Sequence, residues 1–201
     1  MTYSQNNEQE IIIEHAPIKG TLLSVGENEG TFLSNVRQLI LNGYTAFLVE
    51  PAATPYKKLA ELYKDNGMVW TFNVAIAEKN GTQTFYESGE HLGKGDTGLL
   101  STLDPNEKER WVGTEFIETK VECWDFKTLL SHCPVQTFDV ISIDAEAKDY
   151  AILSQMNLTE LGCKVLIVET NSIEDFKYVD YCKNFGMRLV LKNAENLIFV
   201  K

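Results

Sequence analysis

From Thr21 onward, short runs rich in β-branched and aromatic residues alternate with segments of helical periodicity. Such alternation is the signature of parallel strands joined by crossover helices, because a parallel neighbour can be reached only by a long return connection. Thr21 to Val25 reads as a strand, and Phe32, Leu33, Val36, Leu39 and Ile40 then recur at helical spacing until Asn42-Gly43 ends that helix. Tyr44 to Val49 reads as a second strand. Thr54-Pro55 supplies a cap and a first-turn proline for a helix lined by Tyr56, Leu59, Leu62 and Tyr63, and Met68 to Ile76 reads as a third strand. At the far end, Met187 to Leu191 and Asn196 to Val200 are separated only by Lys192 to Glu195, too short for a crossover helix, so these last two strands are antiparallel. The expected class is α/β: a three-layer, Rossmann-like arrangement around a mostly parallel sheet that finishes in a hairpin.

The middle is less regular. Thr82 to Glu87 and Ile117 to Cys123 look like strands, and Asp125 can cap a short helix carrying Phe126, Leu129 and Leu130. Between them, residues 88–110 hold Gly89, Gly93, Gly95 and Gly98 and show no sustained period, which suits a lid, a disordered loop or a plain insertion. Regular alternation resumes with a strand at Phe138 to Ile143, a helix from about Lys148 to Gln155 and a strand at Lys164 to Val168. Ser172 with Asp175 can start a last helix through Phe176, Val179 and Cys182, ending at Phe185-Gly186. We expect one domain over 19–201 and a polar leader or extension over 1–18.

Composition narrows the function classes. The 201 residues carry 18 Lys and Arg against 29 Asp and Glu, a net charge of -11, and no basic cluster interrupts the acidic surface. Phosphate backbones and anionic lipids are repelled by such a surface, so neither nucleic acid nor membrane is an expected partner, and a small or neutral substrate is favoured. No apolar run approaches the roughly 20 residues of a membrane span. The acidic N-terminus MTYSQNNEQE lacks a secretory pattern, so a cytoplasmic location is expected. Cys123, Cys133, Cys163 and Cys182 form no Cys-x-x-Cys pair and are read as reduced and mostly buried.

In open parallel sheets, ligands bind beyond the carboxyl ends of the strands near the point where strand order reverses. The first strand runs into Ser24-Val25-Gly26-Glu27-Asn28-Glu29-Gly30, where Gly26 allows a sharp turn and close ligand approach and Gly30 lets the next helix start tightly against the sheet. Plain turn glycines would read the same way. The spacing is not Gly-x-Gly-x-x-Gly, and Glu27 and Glu29 stand where a pyrophosphate would approach, so a cationic or neutral ligand suits the loop better. Glu50 ends the second strand, placed either to accept hydrogen bonds from the two hydroxyls of an adenosine ribose or to favour the dipole of the next helix. Asn73 and Ala75 fall where an adenine edge could be met. The fourth parallel strand ends in Asp144-Ala145-Glu146-Ala147-Lys148-Asp149, whose acids suit a cationic cofactor, deprotonation of a substrate hydroxyl, or simple helix capping. Three such oxygens can also gather a divalent ion, but no histidine is nearby and no metal is expected.

With these pieces placed, the sequence resembles the FkbM-like family of S-adenosylmethionine-dependent methyltransferases over about Gly20 to Thr170. The family's first loop typically reads Asp-Val-Gly-Ala-Asn-x-Gly, matched here by Ser24 to Gly30. Phe47-Leu48-Val49-Glu50-Pro51 is similar to its second-strand Glu-Pro, and Asn73-Val74-Ala75-Ile76 to its Asn-x-Ala-(Ile/Val) segment. Leu100-Ser101-Thr102-Leu103 is similar to a serine-rich segment of its variable region. Ile143 to Leu153 resembles its Asp-x-Glu-Gly-x-(Glu/Asp)-x-x-x-Leu signature, and Leu166-Ile167-Val168-Glu169 its fifth strand.

The resemblance implies a seven-stranded methyltransferase sheet and S-adenosylmethionine as cofactor. It implies a cofactor site at Ser24, Gly26, Asn28, Gly30, Glu50, Asn73 and Ala75, and Asp144 and Glu146 at the reaction centre. Ser101 and Trp111 are expected substrate contacts brought in by the variable loop, with His91 a further candidate base there. Glu169 faces either the substrate cleft or the following turn, and His15 and His132 carry no functional signal. Two positions depart from the family pattern: Ser24 replaces the usual aspartate and Ala147 the usual glycine, with Glu27 available as a substitute carboxylate. The reaction implied is O-methylation of a small hydroxylated acceptor, a saccharide or secondary metabolite, resting on alignment at about 3 to 3.5 Å and removal of the hydroxyl proton. The competing readings are an NAD-dependent oxidoreductase or epimerase, against which the glycine spacing argues, and a catalytically decayed S-adenosylmethionine-binding protein, motivated by Ser24.

Overall fold

Seven strands hydrogen-bond into one sheet in the order β3-β2-β1-β7-β8-β10-β9: β1 is Thr21–Val25, β2 Thr45–Val49, β3 Val69–Phe72, β7 Val140–Ile143, β8 Val165–Glu169, β9 Arg188–Lys192 and β10 Asn196–Val200. The structure, a computed structural model, describes residues 2–170 and 174–201. β3, β2, β1, β7 and β8 are mutually parallel, while β10 runs antiparallel to both β8 and β9. The terminal hairpin expected from the four-residue connection is thus present, wedged beside β8.

The central strands are apolar on both faces because both faces are covered. Leu23, Phe47, Ile141, Leu166 and Phe199 point to one layer with Leu129, Ile152 and Leu153. Leu22, Leu48, Val140, Ile167 and Ile198 point to the other with Ile12, Leu39, Ile40 and Leu59. The helices forming these layers are α1 (Glu8–His15), α2 (Arg37–Leu41), α3 (Ala53–Tyr63), α5 (Phe126–His132), α6 (Asp149–Leu153) and α7 (Asp175–Lys183). Residues of the N-terminal segment pack against the sheet and its terminal hairpin. Ile12 is fully buried, Glu8 accepts hydrogen bonds from the amides of Asn193 (2.7 Å) and Asn196 (3.0 Å), and Tyr44 donates its hydroxyl proton to the Pro17 carbonyl. Burying one isoleucine contributes about 1.5–3 kcal/mol, enough to hold so short a helix in place.

Three local expectations are corrected. The helix after β1 does not begin at Phe32: Leu33 has φ 59°, and only when the Ser34 hydroxyl has accepted the amide of Arg37 (3.0 Å) does α2 start. The third strand divides at Asn73, whose side-chain amide donates to the carbonyls of Glu50 (2.8 Å) and Pro51 (3.0 Å), so that β4 (Ala75–Ile76) leaves the main sheet. There it joins a second, three-stranded sheet with β6 (Phe116–Trp124) and β5 (Gly81–Ser88), around Phe85, Val121 and Cys123. Helix α3 begins at Ala53, one residue before the expected threonine cap. Asp125 does cap α5, accepting the Thr128 amide at 2.7 Å.

The long glycine-containing segment is tied down. Thr102 exchanges backbone hydrogen bonds with Tyr86 of β5, Asp96 accepts the amides of Leu92 and Lys94, and α4 (Glu107–Arg110) closes the segment. The proposed Ser172 cap lies outside the described residues. All four cysteines are free and buried. Among the described residues no helix is long and apolar enough to cross a membrane.

Candidate functional site

The loops leaving the carboxyl ends of β1, β2, β7 and β8 enclose a cavity of about 330 Å³ at the point where strand order reverses, between β1 and β7. Ser24, Gly26, Asn28, Glu50 and Ala75 line it, as do Ser101, Trp111, Asp144 and Glu146. Gly30 and Asn73 do not. A side chain at Gly30 would strike Leu59 of α3 at 2.6 Å, so that glycine serves helix packing, and Asn73 is spent on the Glu50 and Pro51 carbonyls described above.

Gly26 sits at φ 80°, and a Cβ there would lie 1.7 Å from the backbone oxygen of Asp144. The turn after β1 thus rests directly on the turn after β7. The amides of Gly26 and Glu27 both donate to the Val49 carbonyl (2.9 and 3.1 Å), and the Asp144 amide donates to that of Val25 (2.9 Å). These bonds lock three strand ends in one register.

Two carboxyls on this side have their oxygens occupied by donors of the chain itself. Glu50 accepts the amides of Asn28 (2.9 Å) and Ala52 (2.7 Å), so it ties the first loop to the turn that leads into α3. Burial nonetheless pushes its pKa up to about 8, the two backbone donors opposing and Asp144 and Glu27 adding to the rise. Glu27 accepts the hydroxyls of Ser24 and Ser34, each at 2.6 Å, and burial raises it to about 7 despite those bonds. A carboxyl thus stands beside Ser24, supplied three residues on and held by that same serine.

The other side is built from Asp144 and Glu146 after β7 and Glu169 at the end of β8. One carboxylate oxygen from each lies within 4.8 Å of the other two. Burial, with the neighbouring Asp144, Asp149 and Glu107 charges behind it, holds Glu146 well above the ordinary range. Glu169 is raised by burial and by Asp144 and Glu146. Asp144 is lifted to about 6 by burial, with a hydrogen bond to Glu169 opposing. Asp149 accepts the Ala145 amide (2.8 Å) and pins the loop, raised to about 7 by burial and by Asp144. Glu146 and Ala147 both adopt left-handed backbone, φ 45° and 75°, and the Thr102 hydroxyl holds the Glu146 carbonyl at 2.7 Å. A glycine would take the conformation of Ala147 without strain, which is why that residue type would be natural there.

The variable segment forms the roof. The Ser101 hydroxyl accepts the Ser88 amide at 3.0 Å. Trp111 packs edge-on against His91, with ring centroids 5.0 Å apart, and its indole N–H is buried without a partner among the described residues. His91 itself is exposed at the mouth and within 3.3 Å of the Thr114 hydroxyl. Sequence reasoning missed Ser142, Gln5, Glu195 and Asn196, which also line the cavity. Ser142 was findable, two residues before Asp144 on the same strand face; Gln5 reaches the site only through the docking of α1.

The chain matches no protein-family model and no curated protein sequence. Solved structures are similar to it at low identity. Aeropyrum pernix fibrillarin, crystallised with natively bound S-adenosyl-L-methionine, aligns over 92% of this chain and 68% of its own at 14% identity and TM-score 0.50. M. capricolum TrmK with S-adenosylhomocysteine aligns over 98% and 67% at 6% identity and TM-score 0.51. The precorrin-6y C5,15-methyltransferase of Geobacter metallireducens aligns over 98% and 92% at 9% identity and TM-score 0.50. Strand order, terminal hairpin and these likenesses agree: the chain has the Rossmann-like methyltransferase fold.

Proposed function

We propose that this protein is an S-adenosylmethionine-dependent methyltransferase of the FkbM-like type that methylates a hydroxyl oxygen of a small acceptor, a saccharide or secondary metabolite, in the cytoplasm. The observation that carries the reading is the pairing, in one cavity, of a nucleoside-suited side at Glu50 with a carboxyl cluster at Asp144, Glu146 and Glu169. The cavity lies at the small end of the usual range for ligand sites, about 300–1,000 Å³. Glu50 keeps lone pairs beyond those used by Asn28 and Ala52, so it would accept ribose hydroxyls, while the buried Val74 and Ala75 offer an apolar wall for adenine. Glu27, bonded to Ser24, restores the missing acid and favours an active site over a decayed one. Glu27 and Glu29 at the first loop speak against a pyrophosphate-bearing nicotinamide cofactor.

When bound, S-adenosylmethionine supplies a methyl group already activated on a sulfonium. The chain then has two tasks, alignment and proton removal. Carboxyls whose pKa values are raised toward neutrality are stronger bases than ordinary ones, and Asp144 or Glu146 would take the hydroxyl proton as the acceptor oxygen attacks. Leu100, Ser101 and Trp111 would roof the acceptor and exclude water. Titration with S-adenosylhomocysteine tests site and class together: heat of binding and a raised melting temperature are expected with it and not with NAD. No binding at millimolar S-adenosylhomocysteine would overturn the reading.

A further inference from the structure

We propose that Asp144, Glu146 and Glu169 form a binding site for a hard divalent cation, of the Mg²⁺, Mn²⁺ or Ca²⁺ class, that presents an open coordination position to the acceptor's hydroxyl oxygen. The three carboxylates come from two adjacent strand ends and converge to within 4.8 Å of one another. An ion ligated at about 2.1 to 2.6 Å spans roughly 3 to 5 Å between its donors, so the spacing suits direct ligation. Oxygen is the only donor type in the cluster, which selects hard cations over zinc or copper.

Two further observations point to a missing partner rather than to a self-sufficient acidic cluster. Glu146 is only 6% exposed, yet its carboxylate accepts no hydrogen bond among the described residues while lining the cavity. Ser142 is 3% exposed, lines the same cavity two residues before Asp144, and its hydroxyl also has no hydrogen bond among them. Arg110, whose charge bears on Glu146 and Glu169, and the cavity-lining Lys148 each have a carboxylate partner of their own. Lys148 is paired with Asp104 at 3.1 Å and Arg110 with Glu107 at 2.7 Å. A buried carboxylate such as that of Glu146, with no ion-pair partner of its own, is costly to ionise, and an ion of charge two answers it together with Asp144 and Glu169. The catalytic part of this inference, polarising an acceptor hydroxyl so that it gives up its proton more readily, rests on the methyl-transfer reading; ion binding does not.

The test is a titration of the 201-residue chain with Mn²⁺ followed by electron paramagnetic resonance, with and without S-adenosylhomocysteine. One ion per chain is expected, with a dissociation constant below about 1 mM and displaced by excess Mg²⁺ or Ca²⁺. Glu146→Gln and Glu169→Gln should each weaken it by at least about tenfold, since even an outer partner of a metal ligand is worth that much. Glu61→Gln, on the exposed face of α3, should leave it unchanged. Folding of each variant is checked by circular dichroism. Absence of binding to the wild type, or binding indifferent to both variants, overturns the site whatever S-adenosylhomocysteine does. Mn²⁺ bound as described without S-adenosylhomocysteine binding keeps the ion site and removes the methyl-transfer reading instead.

Discussion

The two halves of the cavity hold carboxyls in opposite circumstances. Beside β1 and β2, Glu27 and Glu50 have their oxygens engaged by two hydroxyls and two backbone amides of the chain itself. Beside β7 and β8, Asp144 and Glu169 share a hydrogen bond with each other, and Glu146 has none. All are raised by burial, but for different ends. The first pair is an internal brace that shapes the first loop and the turn into α3. In the second group Glu146 is buried without a hydrogen bond among the described residues, and a strongly perturbed buried acid in a cleft is the usual mark of a place where chemistry or a ligand is accommodated.

The strongest way to break this contrast is to separate the halves. Gly26→Ala puts a Cβ where the Asp144 carbonyl lies 1.7 Å away and also strains φ 80°, so a loss of about 3 kcal/mol or more in urea unfolding is expected. A near-neutral result would mean that the two turns are not in contact. Next in size, Glu50→Ala should weaken S-adenosylhomocysteine by about 1.5–3 kcal/mol in calorimetry while leaving Mn²⁺ binding intact. Unchanged affinity would remove Glu50 from the cofactor side.

The braced pair also sets a pH dependence. Glu27 and Glu50 titrate near 7 and 8 in the folded chain against 4.5 as a reference, so the folded state holds more protons than the unfolded state across that window. Stability from these groups is full below about pH 4.5 and is lost as pH rises through 7 to 8. Melting temperature should accordingly fall between pH 5.5 and about 8.5, less steeply in Glu50→Gln; a rise over that range would contradict the burial argument. The smallest effect is expected at Ala147→Gly. Relief of a left-handed alanine at φ 75°, worth about 1–2 kcal/mol, is partly offset by the entropy of glycine, leaving a gain of about 0.5 kcal/mol by denaturant titration.

Much of the architecture was legible in the sequence because strand and helix periods differ and because Lys192 to Glu195 is too short to cross over. The failures share a cause. The Phe32–Leu33 stretch has helical spacing, but the buried Glu27 recruits the Ser34 hydroxyl, and Ser34 sets where α2 starts. Met68 to Ile76 has continuous strand propensity, yet the Asn73 amide turns the chain into a second sheet. Both are side-chain hydrogen bonds to distant or turn-forming groups, which periodicity does not register. At the site, Gly26, Glu50, Asp144 and Glu146 were readable as strand-end residues. Gly30 and Asn73 carried the same signature but face helix and backbone partners instead.

By itself, the sequence determined which segments are strands of a doubly covered sheet, that the last pair is antiparallel, and that acids gather at the carboxyl edge, because these follow from local spacing and chain length. Only the tertiary structure decided which of those acids are satisfied and which are not. That distinction depends on donors brought from elsewhere, an amide from one loop and a hydroxyl from another, and on how much water the packed neighbours exclude.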